Sequence, residues 1–206
     1  MKQVNQYQGL NIHSPLSESN VTYLSQLKSL IEASVAESAR ILAFRFDLRF
    51  PENYKGGQEK VITKFFESLK AQIKAKDAKS IKDGKRVYPC RLKYAWVREN
   101  GGAVNDHFHV VVIFNKDAFA FVGDYDSAET NTARRIKKAW SSALGCKEES
   151  AKGLVHFPKS AIYILNKNKE TYQGKYRLLY YRISYLAKNR TKVYGTGKRS
   201  FGCSWK

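Results

Sequence analysis

A chain of 206 residues is long enough for one sizeable domain with a real core, and too short to add a motor domain to a catalytic one. Its 37 Lys+Arg against 18 Asp+Glu give a formal charge of +19, far beyond what solubility requires, and point to a polyanionic partner. Nucleic acid fits better than a membrane, because no run approaches the roughly 18 apolar residues of a spanning helix; Met1 to Pro15 lacks the apolar stretch of a signal peptide, and Cys90, Cys146 and Cys203 form no metal or redox spacing, so a reducing cytoplasm is expected.

Residues 1–17 are polar and carry no period, which predicts a loosely held arm. Val21, Leu24, Leu27, Ile31 and Val35 then step at three and four behind Asn20 as a cap, predicting a flanking helix to about Arg40. Residues 1–40 are thus expected as arm and flanking helix, and 41–206 as the body of the domain. From Ala43 to Phe50 the chain alternates, with Phe44, Phe46, Leu48 and Phe50 on one face and Arg45, Asp47 and Arg49 on the other, until Pro51 ends the strand. That polar face reads either as solvated surface or as a row facing nucleic acid.

Val61, Phe65, Leu69 and Ile73 recur every four residues among Lys60, Lys64, Lys70 and Lys74, which predicts an amphipathic helix with a solvated basic face. Asp77 to Lys85 is expected as a charged loop, and from Val87 through Cys90, Leu92, Tyr94 and Trp96 to Glu99 the chain reads as strand. Asn100-Gly101-Gly102 is a turn signal, followed by a strand from His107 to Phe114. Ala128 to Leu144 is expected as a basic helix stopped by Gly145. Leu154 to Phe157 and Ala161 to Leu165, joined by Pro158-Lys159-Ser160, suit an edge hairpin; Tyr176 to Lys188 is the last helix, and Lys192 to Lys206 a basic, Gly-rich tail.

The strand His107-Phe108-His109-Val110-Val111-Val112-Ile113-Phe114 carries the first chemistry. Successive side chains of a strand point to opposite faces, so His107 and His109 project together while Phe108, Val110, Val112 and Phe114 fill the other side. Two imidazoles fixed side by side can take two positions around a divalent metal. Antiparallel pairing across the Gly turn would bring Glu99 beside them. The last helix adds Tyr181 and Tyr185, four apart, with Lys188 three further on, all within one stripe. Tyrosine is a weak nucleophile at its free pKa of about 10 but becomes competent beside a metal or a lysine. Taken singly, each feature also has a plain structural reading, as packed histidines or a core tyrosine near a surface lysine. His13 and His156 have no partner at useful spacing and read as structural or exposed. Gly195-Thr196-Gly197-Lys198-Arg199 is too short for a phosphate-binding loop and reads as a flexible basic contact to DNA backbone.

Together the motifs resemble a known superfamily. Glu99 to His109 followed by Val110-Val111-Val112 resembles the HUH motif (His-hydrophobic-His) of rolling-circle replication initiators. Tyr181-Arg182-Ile183-Ser184-Tyr185-Leu186-Ala187-Lys188 resembles their tyrosine motif in its two-tyrosine form, and Phe44 to Pro51 their first strand motif. The ending Tyr194-Gly195 through Arg199-Ser200-Phe201-Gly202-Cys203-Ser204 is similar to the inovirus Gp2-like family within that group, and the similarity runs from about Ile41 to Lys206.

The resemblance implies an α+β fold with a central five-stranded antiparallel sheet of RRM-like topology and flanking helices, making 41–206 the catalytic domain. It implies a single-strand DNA nicking and joining endonuclease that initiates rolling-circle replication of a phage, plasmid or satellite element. His107, His109 and an acidic residue would hold Mg2+ or Mn2+, with Glu99 chosen over Asp47 and Asp106. Tyr185 would attack the scissile phosphate, leaving a 5′-phosphotyrosine, with Lys188 near the phosphate or metal. Two-tyrosine members often carry a lysine three after the first tyrosine; here that position is Ser184, which leaves the role of Tyr181 open. The implied partners are single-stranded or hairpin origin DNA and a host helicase. A non-cleaving DNA-binding regulator on the same scaffold, a relaxase and a single-strand transposase are the alternatives.

Overall fold

Alternation makes Arg40–Arg49 (β3) a two-faced strand, and in the computed structural model of the chain the sheet is built on it. The structure describes residues 5–58, 60–100, 105–125, 131–190, 192 and 199–204. In chain order these form β1 (Gln6–Tyr7), β2 (Leu10–Asn11), α1 (Val21–Glu37), β3, α2 (Val61–Lys82), β4 (Lys93–Glu99), β5 (His107–Asn115), α3 (Thr132–Leu144), β6 (Val155–His156), β7 (Ile162–Asn166), α4 (Tyr172–Ser184) and β8 (Phe201–Cys203). Among the described residues the fold is α+β, with a six-stranded antiparallel sheet, four α-helices and a separate β1–β2 ribbon.

The strands lie in the order β6, β3, β5, β4, β8, with β7 also paired to β3. Since β5 occupies one edge of β3, β6 and β7 share the other: β6 lies opposite Asp47 and Leu48, and β7 opposite Arg40 to Phe44. They are therefore one interrupted edge strand rather than the hairpin expected around Pro158-Lys159-Ser160, and the sheet has six strands but is five wide. The open edge of β3 supplies the reason, because its amides need acceptors along their whole length. Between the two short strands Arg45 N still donates to Ala161 O, and beyond β6 Arg49 N donates to Leu154 O, both at 2.8 Å.

Both faces of the sheet are covered. Phe44, Phe46, Leu48, Trp96, Phe108, Val110, Val112 and Phe114 pack under α2 and α3; Ile41, Ala43, Ala95, Val97, Val111 and Ile113 pack under α1 and α4. The stripes predicted for α1 and α2 are buried except for Val21, which is exposed; Asn20 Oδ1 caps α1 by accepting from Tyr23 N at 3.1 Å, and Gly145 ends α3 at φ +71°. Trp140, fully buried in the first layer, donates its indole N–H to Arg49 O at 2.8 Å and so ties α3 to the end of β3.

Three expectations change. The segment from Asp77 is not a loop: α2 continues to Lys82, because Lys, Ala and Ser sustain an exposed helix without an apolar stripe, and it stops before Gly84 at φ +67°. The strand expected from Val87 begins only at Lys93. Residues 5–20 are not a loose arm: Ile12 is 2% exposed, His13 N donates to Ser184 Oγ, Asn20 N to Ala187 O, and Asn189 N to Glu18 O, each at 2.8 Å. The Gly101-Gly102 turn, the start of the helix expected from Ala128, and Gly195 to Lys198 lie outside the described residues. Among the described residues no helix is long and apolar enough to cross a membrane.

Candidate metal and tyrosine site

On the α1/α4 face the apolar pattern breaks at one end of the sheet. Along β3 it gives way to Arg45, Asp47 and Arg49, along β5 to His109 and His107, and along β4 to Glu99. Register sets them in rows: Arg49, His107 and Glu99 lie opposite one another across three strands, and Asp47, His109 and Val97 form the next row. Opposed side chains of neighbouring strands lie about 5 Å apart, so rigid strands rather than loops fix the spacing. Arg45, Asp47, Glu99 and His109 are 9%, 6%, 2% and 8% exposed. Burying four ionisable groups together is expensive and favours no fold by itself, which makes the cluster the candidate functional site.

His109 is flanked by two carboxylates. Its Nδ1 lies 2.5 Å from Asp47 Oδ1 and its Nε2 3.1 Å from Glu99 Oε2, while His107 Nε2 is 3.9 Å from the same Glu99 oxygen. Burial works against the imidazolium, but the hydrogen bonds to Asp47 and Glu99 outweigh it and raise the His109 pKa. For His107, burial and then the neighbouring His109 push the pKa down, so that ring stays neutral. Asp47 is held below the usual carboxylate range: burial opposes this, and the bond to His109 with the nearby charges of His109 and Arg45 overrides it. Arg45 Nη2 lies 3.0 Å from Asp47 Oδ1, and His156 Nδ1 3.2 Å from Asp47 Oδ2.

This donor set suits a divalent cation. One ligand atom from each of Glu99, His107 and His109 can be chosen with all three within 4.8 Å of one another. Two donors at right angles on an ion with bonds of about 2.1 Å lie about 3 Å apart, close to the 3.1 Å between His109 Nε2 and Glu99 Oε2. Asp47, behind His109 at Nδ1, completes the carboxylate–histidine arrangement that orients metal-bound imidazoles. The three acidic candidates differ in position. Glu99 faces both histidines, Asp47 backs one of them, and Asp106 turns away to accept from Asn100 Nδ2 at 2.8 Å and pair with Arg98 at 3.8 Å.

Helix α4 ends at Ser184 and tightens into a 3₁₀ turn, Tyr185–Ala187, that carries the tyrosine to the cluster. Tyr185 O–H donates to Glu99 Oε2 at 3.4 Å, and its ring meets that of His109 edge-on at 5.1 Å. Burial, followed by the charge of Glu99, raises the phenol pKa. Lys188 Nζ lies 5.7 Å from the Tyr185 ring. Tyr181 stands further out, 43% exposed, its ring 5.9 Å from His13.

Four groups at this site carried no sequence signal. His13 packs edge-on against Tyr185 at 5.0 Å, so the tyrosine ring sits between two imidazoles. His156 borders the cluster through Asp47. Both histidines are exposed, in line with the reading from spacing, and reach the site through long-range contacts that spacing does not reveal. Lys192 bridges to the backbone of Glu99, is 8% exposed, and has its amine pushed down to about 8 by burial. Arg182 buries its Nε without a hydrogen-bond partner among the described residues.

Two Escherichia coli K12 proteins are similar over most of their length. Uncharacterized protein YagK is 35% identical over 191 residues, covering 88% of this chain and 91% of YagK; uncharacterized protein YfjJ is 36% identical over 195 residues, covering 88% of this chain and 93% of YfjJ. No solved structure matches the chain. Matched by the model of that family from residue 2 to residue 204, the chain belongs to the YagK/YfjJ C-terminal domain family.

Proposed function

We propose that the chain is a metal-dependent, single-strand DNA nicking and joining endonuclease of the HUH type, which initiates rolling-circle replication of a phage, plasmid or satellite element. One observation carries this reading: His107 and His109 from β5, Glu99 from β4 and Tyr185 from the end of α4 meet at one point, with the Tyr185 hydroxyl 3.4 Å from Glu99 Oε2. A binding protein needs none of these four together. Origin DNA, single-stranded or as a hairpin, is the proposed substrate, and the +19 charge supports a nucleic-acid partner. A host helicase would separate the strands.

Glu99, His107 and His109 would hold Mg2+ or Mn2+, which when bound would polarise the scissile phosphate and offset the carboxylate charge that keeps the Tyr185 phenol protonated. The chain itself supplies the rest. Tyr185 Oη attacks phosphorus, an O–P bond forms, and the P–O3′ bond breaks to leave a 5′-phosphotyrosine. The phenolic proton has Glu99 Oε2 as acceptor, and the departing 3′ oxygen takes a proton from solvent. Lys188 supplies positive charge beside the tyrosine for the phosphate oxygens. Because the phosphotyrosine keeps the bond energy, attack by a 3′-OH rejoins the strand.

The test is a denaturing gel of wild type with single-stranded origin DNA and Mn2+. A covalent protein–DNA adduct is expected, absent in Tyr185→Phe and retained in Tyr181→Phe. An adduct that survives unchanged in Tyr185→Phe assigns the nucleophile elsewhere. DNA binding with no adduct in wild type leaves the non-cleaving regulator.

A further inference from the structure

Two clefts meet at Arg49. One, of about 690 Å3, opens over His107 and His109 and is bordered by Arg49, Asn53 and Asn105. The other, of about 930 Å3, runs between the β6 edge and α3, and its charged lining is Arg49, Arg134, Lys137, Lys152 and His156 together with Glu148 and Glu149. Arg49 stands opposite His107 in register, and His156 is hydrogen-bonded to Asp47, so the second cleft begins where the metal cluster ends.

Its lining is organised for a particular chemistry. Arg134 is drawn towards Glu148 at 3.7 Å, and Lys137 Nζ donates to Tyr125 O, but neither Arg49 nor Lys152 makes an ion pair with a described carboxylate. These two cations flank the cleft with their charge unspent. Beside them three rings cluster at the edge of the core: Phe44, fully buried, lies 5.0 Å from Phe157 at 12° and 6.0 Å from Tyr125 at 23°, and Phe157 lies 4.5 Å from Tyr125 at 32°. Tyr125 and Phe157, both half-buried, line the cleft. Backbone cations beside an aromatic platform are what a single strand requires, since phosphates take the charge and an unpaired base extends the stack.

Resting on the nuclease reading above, we infer that this α3–β6 groove holds the single-stranded DNA flanking the scissile phosphate. Phosphates lie along Arg49 and Lys152, and one base stacks on Tyr125. The strand leaves the metal cluster past Arg49 and turns around the β6 edge of the sheet onto the α3 side. The duplex form is excluded from the groove, because paired bases offer no free face to Tyr125.

The probe is fluorescent dT20, titrated by anisotropy into full-length protein in EDTA, so that neither metal nor cleavage enters. Arg49→Glu/Lys152→Glu should weaken binding at least tenfold and lower the log–log salt slope by about 1.4, at roughly 0.7 per phosphate contact on single strands. Lys70→Glu/Lys74→Glu on α2 carries the same change of net charge and should weaken binding less than threefold. Tyr125→Ala should cost about fivefold or more on dT20 and leave dT20·dA20 duplex binding unchanged. Thermal unfolding of each variant controls for folding. Equal weakening by the two charge reversals overturns the groove, as does a Tyr125→Ala variant that binds dT20 like wild type. The two readings fail separately: tight groove-dependent dT20 binding without any adduct removes the nuclease and keeps the groove, whereas adduct formation with groove-independent binding does the reverse.

Discussion

Replacing Asp47 by Asn should weaken Mn2+ binding without removing it. Asp47 Oδ1 lies 2.5 Å from His109 Nδ1, on the side of the ring away from Glu99, so it fixes the ring and makes Nε2 more electron-rich without reaching the cation itself. Losing such a carboxylate costs about 10- to 100-fold in metal affinity, or about 1.4–2.7 kcal/mol. The amide of Asn keeps the shape and still accepts a hydrogen bond, so Asp47→Asn belongs at the tenfold end and Asp47→Ala nearer the hundredfold end. Glu99→Gln would remove the proposed direct ligand and should cost more than either. Asp106→Asn, whose side chain faces Asn100 and Arg98, should change nothing. Calorimetric titration of Mn2+ into each protein at one pH gives the four constants, with thermal unfolding as the check on folding. The reasoning is refuted if Asp47→Asn binds as tightly as wild type, or if Asp106→Asn is the weaker of the two.

Two further outcomes follow from packing. His13→Ala removes one of the two edge-on contacts to Tyr185, worth about 0.5–1.5 kcal/mol, and should slow single-turnover adduct formation by about two- to tenfold; His13→Phe, which restores a ring, should recover most of it, and equal rates in Ala and wild type would refute the role. Gly202→Ala would place a Cβ 2.4 Å from the Trp96 indole, itself 5% exposed; overpacking of this kind costs about 1–3 kcal/mol, to be read as a lowered denaturant midpoint, and an unchanged midpoint would mean that β8 is not held against β4 as described.

The parts of the fold legible from sequence are those whose information is local. Alternation from His107 to Phe114 fixes which side chains share a face whatever covers that face, and the short connection from Glu99 leaves antiparallel pairing as the simple solution, so Glu99 opposite His107 could be anticipated. Arg45 and Asp47 show the limit. Their alternation is visible, but solvated surface does not describe them: both are buried, by elements far away in sequence. The same holds for Ile12, a lone apolar residue in a polar stretch with no period to detect, and for His13, whose partner Ser184 lies 171 residues on. Two short apolar runs around a Pro-containing turn suit a hairpin and the in-line strands β6 and β7 equally well; only the open edge of β3 decides.

The docking of residues 13–20 against residues 184–189 bears on how this protein can be cut down. A boundary at residue 40 looks natural from the sequence, since every motif lies beyond it. Yet a shortened version starting there would strip Ala187 O of its donor, Asn189 N of its acceptor and Ser184 Oγ of the His13 amide, all within the turn that presents Tyr185. Such a fragment would retain each motif residue and lose the seat of one of them. A tag or fusion placed close to Gln6 puts strain on the same seat, whereas the exposed end of α2 near Gly84, on the other face of the sheet, offers an attachment point that leaves it alone.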